Sequence, residues 1–209
     1  GFFMLIEASQ IDWGGHGNDI GASMAEMDDL AKTLEYLEHY VDHHPDTLVV
    51  LTADHSTGGF TLGANGTYKW QPQVLKSMTM SAETITTKIQ AMLPTIENTK
   101  ALFNFELTPE EISKLILAKE LALTNLATYD ALSDEQKKDK RKPMSHKTIY
   151  KSVTKILDNR SITGWTSSGH TGIDVPVFAF GKGSDVFNGY QDNTDIAKKI
   201  FTYLGKSSN

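Results

Sequence analysis

Apolar residues open the chain in an unbroken run, Phe2-Phe-Met-Leu-Ile6, which predicts a strand buried on both faces. Further on, Met24, Met27, Leu30, Leu34, Leu37 and Val41 recur at spacings of three and four, the mark of a helix with one apolar stripe. That helix is expected from about Asp19 to His43, ended by Pro45 and Asp46. Thr47 to Ala53 is then an apolar, β-branched run of the kind found in central parallel strands. Strand, helix and strand make a βαβ unit, whose crossover is right-handed in nearly all proteins. Glu7 and Asp54, which follow the two strands, are therefore expected at the same edge of one sheet.

The pattern changes after Gly58-Gly59. Phe60 to Trp70 reads as a hairpin, with Asn65-Gly66 suited to the positive φ angles of a type I′ turn. Thr108-Pro-Glu-Glu111 is a capping box with proline at the first helical position and announces a helix through Leu117. Ser133 to Lys142 is a charged, solvated stretch, and after Pro143 another helix is expected near Lys147 to Leu157. Val175 to Phe180 returns to an apolar strand. Ile196, Ile200, Tyr203 and Leu204 mark one face of a last helix, capped by Asn193 or Thr194 and stopped by Gly205. The expected class is α/β, a mostly parallel sheet flanked by helices built from residues 1–59 and 161–209, with a mostly helical insertion over 60–160.

Composition narrows the classes of function. With 209 residues, 39% of them hydrophobic, the chain is long enough for one domain with a real core. A net charge of −6 argues against a nucleic-acid surface, and acids interleave with the basic residues of 137–142, the one tract that resembles such a surface. No run approaches the roughly 18 apolar residues of a membrane span. Absence of cysteine removes disulfides and thiolate metal sites.

The candidate chemistry lies in six metal-ligand types. Asp54 and His55 stand at the end of a predicted strand, Glu7, Asp12 and His16 follow another, and His170 lies in Ser167-Ser-Gly-His-Thr-Gly-Ile-Asp174. Zinc takes four ligands, and without cysteine these must be His, Asp or Glu, so six exceed one tetrahedral shell and imply two or more ions. Paired ions are the usual clamp for in-line displacement at phosphorus. Each residue also has a plainer reading: Asp12 and His16 as a helical surface pair, Glu7 as a buried hydrogen-bonded carboxylate, His170 as a loop histidine. His39, His43 and His44 are read as helix-end histidines favoured by the dipole, and His146 as a solvated residue. Trp13 either lines the pocket or packs under its loop.

Three separated motifs, in order, resemble those of the alkaline phosphatases. They are Gly1 to Asp19 with its Asp12-Trp-Gly-Gly-His16, Leu51-Thr-Ala-Asp-His-Ser-Thr-Gly-Gly59, and Gly169-His-Thr-Gly-Ile-Asp-Val-Pro176. The resemblance implies that Asp12, His16 and His170 hold one zinc, that Asp54 and His55 help to hold a second, and that Glu7 contributes to a neighbouring magnesium site. It implies a phosphomonoester substrate cleaved through a phosphoserine intermediate, a homodimer when complete, and a periplasmic or secreted location.

The departures matter as much. The family's serine nucleophile stands in an upstream Asp-Ser-Ala motif that does not occur in this chain, and the only arginines, Arg141 and Arg160, lie in or beside a charged region outside all three motifs. The chain is therefore expected to be the carboxy-terminal half of an enzyme, inactive without its upstream half. Two rivals stand beside this reading: another hydrolase of the superfamily, such as a phosphodiesterase or mutase, and a non-catalytic metal-binding module.

Overall fold

The computed structural model describes residues 1–206. Helices α1 (Gln10–Gly17) and α2 (Ile20–His43) lead to strands β1 (Leu48–Thr52), β2 (Ser56–Thr57) and β3 (Phe60–Leu62). Helices α3 (Gln73–Lys76), α4 (Ala82–Ala91), α5 (Ile96–Phe103), α6 (Pro109–Asp130), α7 (Asp134–Lys137) and α8 (Ser145–Ser161) follow. Strands β4 (Thr163–Trp165), β5 (His170–Thr171) and β6 (Val177–Gly181), a 3-10 turn (Ser184–Phe187) and α9 (Asn193–Tyr203) complete the order. No helix among the described residues is long and apolar enough to cross a membrane.

Local chemistry sets most boundaries. Asn18 adopts the left-handed conformation at φ 51° and closes α1 through its backbone N–H, and the Asp19 side chain then accepts from Ala22 N to start α2. The capping box at Thr108 opens α6 as expected, but the helix continues past Leu117 to Asp130, since no glycine or further proline interrupts its Ala- and Leu-rich run. Helix α9 is capped one residue earlier than expected, by Asp192, whose carboxylate accepts from Thr194 N at 2.9 Å.

The sheet differs from the expectation. Strand β1 exists but pairs antiparallel with β6, from Leu48 opposite Gly181 to Thr52 opposite Val177. No parallel pair is found among the described residues, and Phe2 to Ile6 forms no strand. All five of its side chains are more than half exposed. A strand is defined by a neighbour that accepts and donates its backbone hydrogen bonds, and no described segment lies alongside 2–6 to do so.

The three antiparallel pairs share one sense: β1 with β6, β2 with β5, β3 with β4. Together they form a single ribbon between 48–62 and 163–181, twice interrupted, with 53–55 facing the longer 172–176 and Gly58-Gly59 facing the longer 166–169. Such extra residues bulge out of a ladder and re-aim side chains. The predicted turn at Asn65-Gly66 forms, with φ of 54° and 73° and an Ala64–Thr67 bridge. Its first arm, however, pairs with β4 rather than with the residues that follow the turn.

Buried side chains concentrate in the helical region. Ile149, Val153, Ile156 and Leu157 line one face of α8 and pack among Ile85 and Ile89 of α4, Phe103 of α5, and Ile112 and Leu115 of α6. Arg160 straps α8 to α6 by a bidentate pair with Glu111, Nη2–Oε2 2.6 Å and Nε–Oε1 2.7 Å. By contrast, the apolar stripe of α2 is only half covered, with Met27 51% exposed.

Candidate metal centre

Asp12 and His16 lie on α1 one turn apart, with Asp12 Oδ2 and His16 Nε2 separated by 3.5 Å. The two glycines between them let α1 approach its neighbours. A Cβ at Gly14 would meet Ser23 Oγ at 2.5 Å, and one at Gly15 would meet Thr57 Cβ at 2.9 Å. The short Trp-Gly-Gly-His run is thus what lets α1 settle against both α2 and β2.

The ribbon supplies the other ligands at its interruptions. Asp54 and His55 occupy the gap between β1 and β2, and His170 opens β5 directly opposite Thr57. The His55 and His170 rings stack at 3.5 Å between centroids, and the His16 ring lies 5.1 Å from that of His170. Asp12, His55 and His170 each offer a ligand atom, and these atoms all lie within 4.8 Å of one another.

Hydrogen bonds select which nitrogen each histidine presents. His16 Nδ1 lies 2.7 Å from the Ser168 carbonyl, which only accepts, so Nδ1 carries a proton and Nε2 is the nitrogen turned towards Asp12, where a neutral ring offers its lone pair to a metal ion. Thr57 donates its hydroxyl proton to Asp12 Oδ1, leaving its oxygen to accept from His55 Nδ1 at 3.2 Å. His55 Nε2 is then free, 3.2 Å from Asp54 Oδ2. Two acceptors facing each other at that distance suit a cation, because a tetrahedral ion with bonds of about 2.0–2.2 Å spaces its ligands roughly 3.3–3.6 Å apart. Histidines held through their second nitrogen are the usual metal-ligating arrangement. The donor set therefore fits an oxygen- and nitrogen-ligated divalent ion.

Of the six candidates, five come from segments that meet here: Asp12, His55 and His170 converge, with His16 beside Asp12 and Asp54 beside His55. Glu7 is exposed in the irregular segment before α1 and makes no ion pair with a described residue. Sequence reasoning passed over Thr57, whose hydroxyl links Asp12 and His55; the clue was its place two residues after a candidate ligand. The other histidines serve elsewhere. His43 and His44 donate to carbonyls one turn back, and His146 pairs with Glu83 at 2.9 Å. Trp13 is 67% exposed.

Two buried carboxylates stand behind the centre. Burial pushes the Asp19 carboxyl up, against the bonds it accepts from Ala22 N and the Tyr150 hydroxyl. Burial raises Asp158 further, to about 6, opposed by the Trp165 indole N–H at 3.0 Å. Beside them a cleft of 690 Å³ opens from His16 and the 167–168 loop along α8.

Comparison with known proteins bears on this geometry. The family model for alkaline phosphatase matches residues 1–205. Alkaline phosphatase 3 and alkaline phosphatase 4 of Bacillus subtilis are 38% and 36% identical over 204 residues, each covering 98% of this chain and 40% of the relative. The chain thus spans less than half the length of these relatives. Among solved structures, a cold-active alkaline phosphatase from the psychrophile Shewanella sp. superposes with a TM-score of 0.81 at 40% identity, over 96% of this chain and 44% of that one. The alkaline phosphatase of Thermus thermophilus shares the fold, with a TM-score of 0.68 at 24% identity, over 97% and 43% of the two chains.

Proposed function

This chain belongs to the alkaline phosphatase family, and we propose that it carries the metal scaffold of a phosphomonoester hydrolase whose serine nucleophile lies on a segment outside these residues. One observation carries the reading: Asp12, His55 and His170, from three separate motifs, bring ligand atoms within 4.8 Å. In this reading Asp12, His16 and His170 hold one zinc, Asp54 and His55 belong to a second, and Glu7 serves a magnesium site. Bound there, the ions supply Lewis-acid stabilisation of the charge spread over the phosphoryl oxygens.

The chain's own residues orient that scaffold. The Ser168 carbonyl holds His16 in one tautomer, and Thr57 does the same for His55 while fixing Asp12. The exposed run Phe2 to Ile6 and exposed Phe178 on β6 support a larger, mostly parallel sheet completed by the missing segment. With that segment in place, 2–6 becomes a paired strand and Glu7 reaches the sheet edge beside Asp54. We also propose a division into 1–59 with 161–209 and an insertion over 60–160: the pairs of β1 with β6 and β2 with β5 join the two ends of the chain, although β3 of the insertion joins the same ribbon and the insertion's helices hold most of the buried side chains. A periplasmic or secreted homodimer is the assembly that the family relationship favours.

The test compares hydrolysis of p-nitrophenyl phosphate and bis(p-nitrophenyl) phosphate by the complete enzyme, before and after chelation. Preference for the monoester, loss of activity on chelation, recovery with zinc and abolition by Asp12→Ala are expected. A preference for the diester would assign the chain to another hydrolase of the superfamily. Ordinary turnover by residues 1–209 alone, abolished by His170→Ala, would show that the site needs no upstream nucleophile.

A further inference from the structure

The cleft beside the metal centre has an unusual wall. Lys147, Lys151 and Lys155 recur every fourth residue on α8, so they lie on one helix face, and all three line the cleft together with His16 and Ser168. From first to last they span about 12 Å of helix. The chain is acidic, with a net charge of −6, and some of its surface lysines pair with acids: Lys32 with Asp28, Lys114 with Glu110, Lys198 with Asp195, each within 2.8 Å. None of the three cleft lysines makes an ion pair with a described residue. The acid lining the cleft, Asp158, is 7% exposed and spends one oxygen on the Trp165 indole. Its volume of 690 Å³ falls within the usual range for small-molecule sites.

We propose that this cleft is a subsite for a second phosphoryl group, selecting phosphomonoesters that carry another phosphate several bonds from the ester being cleaved. The proposal rests on the phosphomonoesterase reading and names the substrate class it favours. Three ammonium groups in a row, of which only Lys155 feels a nearby carboxylate, Asp158, attract a dianion without fixing its orientation, since lysine acts as a flexible point charge. His16 and the three lysines line the same cleft, so a substrate seated with one phosphoryl group near His16 has room for its remainder beside α8. The insertion thereby acquires a role in choosing substrates while supplying none of the metal ligands.

The test uses the complete enzyme with the triple variant K147Q/K151Q/K155Q and its charge-preserving counterpart K147R/K151R/K155R. Substrates are p-nitrophenyl phosphate, with one phosphoryl group, and fructose 1,6-bisphosphate, with two. The glutamine variant is expected to lose about tenfold in kcat/KM for the bisphosphate, roughly two- to threefold per lysine as for exposed ion pairs. It should change less than twofold for p-nitrophenyl phosphate, and the arginine variant should retain both activities. Equal loss on both substrates, or no loss on either, overturns the subsite. Should the wild-type enzyme hydrolyse neither, the function reading fails by itself, and calorimetric binding of fructose 1,6-bisphosphate then decides the subsite. Binding weakened in the glutamine variant and kept in the arginine variant supports it, and unchanged binding overturns it.

Discussion

Asp158→Asn separates the cost of a buried charge from the value of its hydrogen bond. Asp158 is 7% exposed on α8, and burial raises its carboxyl from the ordinary 3.8 to about 6 despite the Trp165 N–H and nearby Lys155. A raised carboxyl means that the folded state keeps its proton where the unfolded chain has lost it. Stability from this residue is therefore complete below pH 3.8, declines as pH rises towards 6, and stays low above that. At about 1.4 kcal/mol per pH unit of displacement, ionised Asp158 costs the fold roughly 3 kcal/mol at neutral pH. Asparagine keeps an oxygen for the indole N–H and carries no charge. Urea unfolding of the two proteins, followed by circular dichroism, should show near-equal stability at pH 3.5. At pH 7.5 the variant should be more stable by up to about 3 kcal/mol. A difference that does not change with pH, or a wild type more stable at pH 7.5, would refute the argument that desolvation dominates at this position.

Other expectations follow from the same geometry. Thr57→Val removes the hydroxyl joining Asp12 and His55, and zinc affinity by titration calorimetry should fall about tenfold or more, as for other groups that orient metal ligands; unchanged affinity would contradict the relay. Gly15→Ala drives a Cβ to within 2.9 Å of Thr57 Cβ, forcing α1 off β2, so about 1–3 kcal/mol of stability should be lost along with metal binding. A melting temperature equal to wild type would show that α1 yields freely. Glu111→Gln breaks the bidentate pair with Arg160 and should cost about 1–2 kcal/mol at neutral pH. Burial pushes the Glu111 carboxyl up, but Arg160 and Thr108 outweigh it and leave it below its ordinary 4.5. The pair's contribution is thus present above pH 4.5 and lost as pH falls through the lowered value, and the variant's deficit should shrink in acid.

What the sequence determined by itself is what local physics controls. The span of α2 follows from its apolar spacing and the Asp19 cap, the start of α6 from Thr108 and Glu111, and the turn at Asn65-Gly66 from two residues that tolerate positive φ. Asp12, His16, Asp54 and His55 stood out as ligand types after apolar runs and His170 by its motif, and the fold brings Asp12, His55 and His170 together, with His16 beside Asp12 and Asp54 beside His55. Tertiary structure decided the rest. Strand polarity was not written in Thr47 to Ala53, because a buried strand reads the same whichever direction its neighbour runs, and β1 took β6 as an antiparallel partner. Phe2 to Ile6 has the composition of a core strand, but a strand forms only against a backbone that answers its hydrogen bonds, and none of the described residues does so. Thr57 gained its role only because the ribbon sets β2 beside β5 and Gly15 lets α1 come close; its hydroxyl looks like any other until those contacts exist.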